Sequence, residues 1–217
     1  MRLLLNSSPL TPRGGIYLII LTIMENKIIN QQNVSPSGGQ GAWLQTSSQT
    51  VGPYFAYGLT PEQYLYDFKQ LVGNQMAKPF EVENAITIMG KVFDGNGDVI
   101  PDAMIEIWQN DGKNQLFGRF GTGTDAQNRF IFSTIKPKSL AGQAPYLSVI
   151  VFMRGQLIHS YTRIYFSDEA QLNATDEVLN SVPADRKNTL IAEKKSDKVY
   201  EFNINMQGEN ETVFFEV

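Results

Sequence analysis

The chain has 217 residues, of which 18% are charged and 11% aromatic, with 18 glycines and a formal net charge of −4. This length can bury a core in one domain, and frequent glycine and aromatic residues are typical of β-rich proteins. The absence of cysteine excludes disulfides, thiolate metal ligands and a cysteine nucleophile. The acidic balance, without a basic stripe, gives no basis for nucleic-acid binding. The low charged fraction indicates that a partner covers part of the surface.

The first 42 residues are predicted to lie outside the folded domain. The apolar run 16–23 is too short to span a bilayer, and no small-residue cleavage site follows it. Met24 is therefore a candidate for the true start, with an export signal as the alternative. Residues 30–42 are polar and glycine-rich, as in flexible linkers. We expect a leader and linker over 1–42 and one domain over 43–217, located in the cytoplasm without membrane contact.

The domain is predicted to open with an ordered loop and a helix. Residues 47–54 are polar and extended, and Gly52-Pro53 closes the segment, because proline disfavours helix in its predecessor. Thr60, followed by Pro61, is a plausible helix start. One apolar face of that helix would consist of Tyr64, Leu65, Phe68, Leu71 and Val72.

Most of the remaining chain is predicted to be strand. Apolar runs at 86–93 and 103–108 flank a glycine-rich hairpin turn at 94–98. Further strands are expected at 129–135, 146–152, 158–166, 199–206 and 212–217. A helix over 168–179 would be capped by Ser167 or Asp168. The fold class is therefore mainly β, a β-sandwich of antiparallel strands with short helices and long loops.

The acidic side chains near the central turn are predicted to have no chemical role. Asp102, Glu106 and Asp111 are interpreted as turn and surface groups. The sequence DGNGD at 94–98 imitates a calcium loop, but the required glycine and bidentate acid positions are occupied by Val99 and Ile105. This segment is therefore predicted to be only a turn.

The stretch 88–109 resembles the sheet signature of the intradiol ring-cleaving dioxygenases, non-haem iron enzymes that open catechols. The matching positions are Gly90, Val92, Gly97, Ile100 and the strand 105–109. The match ends there, because the family usually continues to Gly-x-Tyr and residues 114–116 are Asn-Gln-Leu.

The resemblance implies a ferric site of two tyrosinates and two histidines, hard donors that suit Fe(III). In the family the histidines form His-x-His after Arg-Pro. Here Tyr146 and Ser148 stand at the histidine positions and Gln143 at the arginine position. The segments that would supply the tyrosines, 113–124 and 138–142, contain none, and the sole histidine, His159, is interpreted as structural. We therefore predict no metal ligands and no catalytic residues in this chain.

One branch of the family pairs a ligand-bearing chain with a homologous chain that lacks the ligands, and this sequence resembles the ligand-free chain over nearly all of 45–217. The matching blocks are 48–54, 134–137, 152–155, 162–170, 176–180 and 207–215. The resemblance implies a homologous beta partner that binds Fe(III). Together the two chains would cleave protocatechuate (3,4-dihydroxybenzoate) with O₂ to 3-carboxy-cis,cis-muconate, in the β-ketoadipate pathway of aromatic catabolism.

In that division of labour, this chain supplies part of the substrate-pocket wall. The positions implied are Thr50, Gly52, Pro53, Tyr54 and Arg154. Gly52-Pro53 would form a rigid loop close to a flat ring, Tyr54 an aromatic face, and Arg154 a fixed positive charge near an anionic substrate or product. The structural alternatives are a plain turn for the loop and a surface arginine for Arg154.

Two other functional classes are open. The chain could be a non-catalytic ligand-binding or structural β-sandwich, since this fold recurs in accessory domains. It could also be a self-sufficient catechol dioxygenase, although the missing ligands argue strongly against this. Stability as a lone monomer would favour the first class, and iron in the purified chain would favour the second.

Overall fold

The structure, a computed structural model, describes residues 54–78, 81–110, 113 and 115–216, which lie in one compact unit spanning 47–217. The strands are β1 (Ala85–Gly90), β2 (Val92–Phe93), β3 (Met104–Asn110), β4 (Gln115–Gly121), β5 (Phe130–Ile135), β6 (Tyr146–Phe152), β7 (Ser160–Phe166), β8 (Ile191–Ser196), β9 (Val199–Glu201) and β10 (Ile204–Asn205). The helices are α1 (Tyr54–Leu59), α2 (Ala170–Asn173), α3 (Glu177–Ser181) and two 3₁₀ turns, Pro61–Tyr64 and Lys187–Leu190. This composition confirms the predicted mainly-β class.

Eight strands form one continuous sheet in the order β4-β3-β6-β7-β8-β9-β1-β5, and β10 pairs in parallel with β2 in a separate two-stranded sheet. In the large sheet, β4, β3, β6 and β7 are antiparallel neighbours in one half, and β9, β1 and β5 form the other half. Strand β8 connects the halves, because it pairs in parallel with β7 and antiparallel with β9. Alternating side chains from both halves form the core, among them Ile88, Ile105, Phe132, Leu147 and Val149.

The central glycine-rich turn is confirmed, but the strands around it do not pair with each other as a hairpin. The Asp94 carboxylate accepts hydrogen bonds from the backbone N–H groups of Asn96 and Asp98, both at 2.9 Å, and Gly97 has φ of +83°. Only Phe93 and Val99 form a bridge across the turn. Beyond it, β1 and β3 lie in opposite halves of the eight-stranded sheet, so the turn carries the chain from one half to the other.

The helix predicted after Thr60 is wrong beyond its first turn. The Thr60 hydroxyl donates to the Ala56 carbonyl at 2.9 Å, so it does not cap the new helix. The 3₁₀ turn ends at Leu65, whose φ of +60° is incompatible with helix continuation. Leu65 and Leu71, which were expected on a buried face, are each 94% exposed.

The helix predicted over 168–179 is replaced by the two short helices α2 and α3. Asp176 caps α3 by accepting a hydrogen bond from the backbone of Leu179 at 2.8 Å, which the predicted caps do not do. Asp168 instead accepts from Lys136 at 2.9 Å and from the Tyr200 hydroxyl at 2.8 Å. Because Asp168 binds these two residues, which are distant in sequence, its carboxylate does not cap the helix.

Three other strand predictions need correction. Strands β4 and β8 were not predicted, because β4 contains two glycines and most of β8 is exposed and charged. The strand expected at 199–206 is divided into β9 and β10. The C-terminal strand reduces to one bridge, between Phe215 and Tyr161. In the described part of the chain, none of the helices has the length and apolarity needed to cross a membrane.

Candidate functional site

An open groove of about 400 Å³ lies where the β6–β7 connection approaches the central turn and the chain that follows β10. It is lined by Asp94, Gly95, Met153, Arg154, Gly155, Gln156, Ser160, Met206, Gln207 and Phe214. The lining mixes amide, hydroxyl, thioether and aromatic groups with one guanidinium. Such a groove can hold a small, flat molecule and fix a polar substituent on it.

Arg154 lies directly after β6 and is held by a carboxylate from another part of the chain. Its Nε donates to both Asp102 oxygens, at 3.0 and 2.8 Å, and its Nη2 donates to Oδ2. The Arg154 side chain is 63% exposed, whereas that of Asp102 is 12% exposed. The hydrogen bond to Asp102 is the main cause that raises the pKa of Arg154, so the guanidinium remains charged.

Two tyrosines near the N-terminal end of the described domain interact electrostatically with this ion pair. Burial, followed by the charge of Asp102, raises the pKa of Tyr64, and a weaker interaction with Tyr57 contributes to the raised pKa of Arg154. The Tyr57 and Tyr64 rings touch edge to face, with 4.6 Å between their centroids. Gln63, next to Tyr64, accepts a hydrogen bond from the Gly121 N–H at 2.7 Å, which holds this segment beside the end of β4.

The predicted wall residues are only partly visible. Thr50, Gly52 and Pro53 lie outside the described residues, and Tyr54 is the first residue of α1. The roles of these four residues stay predictions.

The carboxylates Asp102 and Glu106 are not surface groups, so that part of the prediction is wrong for both, although Asp102 does lie in a turn. Asp102 is 9% exposed and Glu106 6% exposed. Glu106 accepts from Nε of Arg119, its neighbour across β3 and β4, at 2.7 Å, as Asp102 accepts from Arg154. Each buried carboxylate is thus neutralised by an arginine. Asp111 lies outside the described residues.

The positions matched to the family's histidines lie on one face of β6, but an arginine occupies the space beside them. Ser148 pairs across the sheet with Arg163, whose guanidinium lies 4.1 Å from the centre of the Tyr146 ring. Gln143 lies in the preceding turn, where its backbone N–H donates to Leu140. A guanidinium stacked on a phenol ring is a cation–π contact. This face of β6 already carries a fixed positive charge.

A buried carboxylate balances that charge. Arg163 donates to the Tyr165 hydroxyl at 3.3 Å, and this hydroxyl donates to Asp176 at 3.1 Å. Burial raises the pKa of Tyr165 to about 12, which keeps the hydroxyl protonated and able to donate. We call Tyr146, Arg163, Tyr165 and Asp176 the arginine cluster.

The arginine cluster does not fit a ferric ion. Its oxygen donors are two tyrosine hydroxyls and one carboxylate that is already hydrogen-bonded, and the Arg163 guanidinium would repel a ferric ion. Within the described ranges, no group of three or more His, Asp or Glu side chains is arranged to hold a metal. His159 lies elsewhere, in contact with the rings of Phe152 and Tyr161 at 5.4 and 4.7 Å.

Comparison with known proteins places the chain in a class and then in a family. Over 192 residues it is 48% identical to the protocatechuate 3,4-dioxygenase alpha chain of Burkholderia cepacia, and the match covers 80% of this chain and 98% of that protein. It is 38% identical over 194 residues to the alpha chain of Pseudomonas putida, covering 79% and 96%. The class is therefore that of dioxygenase subunits. More specifically, the chain belongs to the family of protocatechuate 3,4-dioxygenase alpha chains, which confirms the resemblance seen in the sequence.

Solved structures show weaker similarity. A dioxygenase domain from Streptomyces sp. SirexAA-E is 16% identical with a TM-score of 0.49, covering 78% of this chain and 94% of that one. The 3-chlorocatechol 1,2-dioxygenase of Rhodococcus opacus 1CP is 18% identical with a TM-score of 0.47, covering 79% and 71%. No protein-family model matches the chain.

Proposed function

We propose that this chain is the subunit of a protocatechuate 3,4-dioxygenase that does not bind iron. The complete enzyme cleaves protocatechuate with O₂ to 3-carboxy-cis,cis-muconate in cytoplasmic aromatic catabolism, and a homologous beta subunit binds its Fe(III). Family membership supports the reaction, and the arginine cluster supports the assignment of the metal to the partner. A positive charge beside the two matched β6 positions leaves no favourable place for a ferric ion in this chain.

The observation that carries the proposal is the placement of Arg154. An arginine with two of its nitrogens fixed by a nearly buried carboxylate still exposes 63% of its side chain at the edge of the groove. Protocatechuate carries a carboxylate, which a guanidinium recognises by a charge-assisted hydrogen bond. Thr50, Gly52, Pro53 and Tyr54 are proposed to complete the same wall, because Tyr57 of α1, which begins at Tyr54, interacts electrostatically with Arg154.

Exposed apolar side chains support the need for a partner. Leu65 and Leu71 are each 94% exposed, and Leu157 and Ile158, in the loop that carries Arg154, are 62% and 74% exposed. Large apolar side chains this close together in sequence are uncommon on a protein surface that remains in water. The beta subunit would cover them, which places the groove near the subunit interface.

Replacement of Arg154 by alanine in the co-expressed two-chain complex tests the proposal. We expect kcat/KM for protocatechuate to fall roughly 10- to 100-fold, the equivalent of one charge-assisted hydrogen bond, while kcat/KM for catechol, which has no carboxylate, changes little. The measurement is the ratio of the two kcat/KM values. The matched control is Arg129→Ala, because Arg129 also donates to an aspartate, Asp125, from Nε and Nη2 but does not line the groove.

The outcomes separate the functional classes. If Arg154 acts on the ring-opened product, kcat falls for protocatechuate and the substrate ratio is retained. Small and equal losses of kcat/KM with both substrates would mean that Arg154 is only a surface arginine, which contradicts its proposed place in the pocket wall. If the chain remains a stable monomer in the presence of the beta subunit, the alternative function, a non-catalytic ligand-binding β-sandwich, is favoured.

A further inference from the structure

Asp102 is held more rigidly than the arginine it pairs with. The Thr122 hydroxyl donates to the Ile100 carbonyl at 2.8 Å and accepts from the Ala103 N–H at 3.1 Å, which brackets the Asp102 turn. On the other side, Gly123 lies so close that an added Cβ would be 2.5 Å from the Pro101 carbonyl oxygen. Backbone on both sides therefore fixes the Asp102 carboxylate.

The loop that carries Arg154 is held only through Gln156, whose backbone N–H donates to the Met153 carbonyl at 3.5 Å and whose amide donates to the Ser160 hydroxyl at 2.5 Å, among the hydrogen bonds of the described residues. The loop turns at Gly155, with φ of +86°, and the next exposed residues are Leu157 and Ile158. The side-chain hydrogen bonds of Arg154 all go to Asp102 among the residues that the structure describes. The direction of the guanidinium therefore depends on Asp102 rather than on packing of its own loop.

The pairing is side-on, and this geometry leaves one nitrogen without a hydrogen bond to Asp102. Nε and one N–H of Nη2 donate to Asp102, so Nη1 is the nitrogen that keeps both of its N–H groups for a ligand in the groove. The pair is close to neutral as a unit, because one carboxylate compensates one guanidinium. The strength of a hydrogen bond from Nη1 to a ligand therefore depends more on its direction than on the net charge of the Asp102–Arg154 pair.

We propose that Asp102 is a positioning residue that aims Nη1 of Arg154 at the carboxylate of the aromatic substrate or of its ring-opened product. This inference rests on the proposed function and adds the residue that sets its specificity. Asp102 touches neither substrate nor iron and acts only through Arg154. Removal of its charge makes the groove more positive, which would strengthen anion binding if charge alone mattered. Loss of direction has the opposite effect, so the two explanations predict opposite signs.

The test is Asp102→Asn in the two-chain complex, assayed with protocatechuate and with catechol. We expect kcat/KM for protocatechuate to fall roughly 5- to 20-fold and that for catechol to change less than about twofold. In the Arg154→Ala background, Asp102→Asn should cause no further change in the substrate ratio. Partial unfolding would lower both activities equally, so the ratio separates positioning from stability. Asp125→Asn is the matched control, because Asp125 holds Arg129 in the same side-on way.

Each result has one meaning. An unchanged or improved use of protocatechuate in Asp102→Asn would overturn the positioning role, and so would a loss that persists in the Arg154→Ala background. If Arg154→Ala itself leaves both the substrate ratio and kcat for protocatechuate unchanged, the proposed pocket wall fails. If Arg154→Ala lowers the ratio and Asp102→Asn does not, only the role of Asp102 fails.

Discussion

Gly90→Ala should destabilise the sandwich by about 3 kcal/mol or more, at the upper end of overpacking effects. An added Cβ at this position would overlap the carbonyl oxygen of Phe202 and lie 2.8 Å from the Phe130 ring. The carbonyl cannot retreat, because hydrogen bonds of 2.8 Å fix the backbone on both sides, from Phe202 to Met89 and from Ile204 to Lys91. Urea unfolding of the purified chain would measure the loss.

Gly118→Ala provides the control for this prediction. Its added Cβ would approach the Met76 side chain, 2.7 Å from Cγ and 2.8 Å from Sδ, and a flexible thioether can move aside. We expect a loss of less than about 1.5 kcal/mol. Similar losses at both positions would show that the crossing at Phe202 is not the tight contact described. The comparison also explains one glycine of the family signature, since this strand must let the chain after β9 pass directly over it.

Asp176→Ala should cost about 3–5 kcal/mol, because it removes the carboxylate that organises the arginine cluster. Asp176 is fully buried and accepts hydrogen bonds from Leu179 N–H at 2.8 Å, Ala144 N–H at 2.9 Å and the Tyr165 hydroxyl at 3.1 Å. Removal leaves these donors unsatisfied and Arg163 without its nearby negative charge. Chemical denaturation and thermal unfolding would both report the change.

Two further variants make this prediction specific. Tyr165→Phe removes one hydroxyl and leaves the two backbone donors on Asp176, so about 1 kcal/mol is expected. Glu177→Ala, at the exposed first position of α3, should change stability by less than about 0.5 kcal/mol. If Asp176→Ala costs no more than Glu177→Ala, the arginine cluster does not stabilise the fold.

The local strand pattern was predictable, but the pairing was not. Strand β6 alternates buried and half-buried residues along its whole length, and this period is visible in the sequence. In contrast, the pairing of Thr87 with Val199 joins residues more than a hundred positions apart. No local pattern shows that β1 and β3, on the two sides of the central turn, enter opposite halves of the eight-stranded sheet.

Those parts of the site that match a family motif could be predicted from the sequence. Those that depend on contacts between residues far apart in the chain could not. Arg154 stood out by its matching position, whereas Asp102, directly after a proline, looked like an ordinary turn residue. Its importance comes from an arginine 52 residues away. The helix predicted after Thr60 required a buried apolar face, but Leu65 and Leu71 of that face are each 94% exposed, and a short helix without such packing has little stability.

The most direct test of the central claim is a crystal structure of the co-expressed two-chain complex with protocatechuate bound. We expect all protein ligands to iron to come from the partner, and Arg154 Nη1 to lie within hydrogen-bond distance of the bound aromatic molecule in a pocket shared by both chains. Iron coordinated by residues of this chain, or a bound substrate that no residue of this chain contacts, would contradict the account.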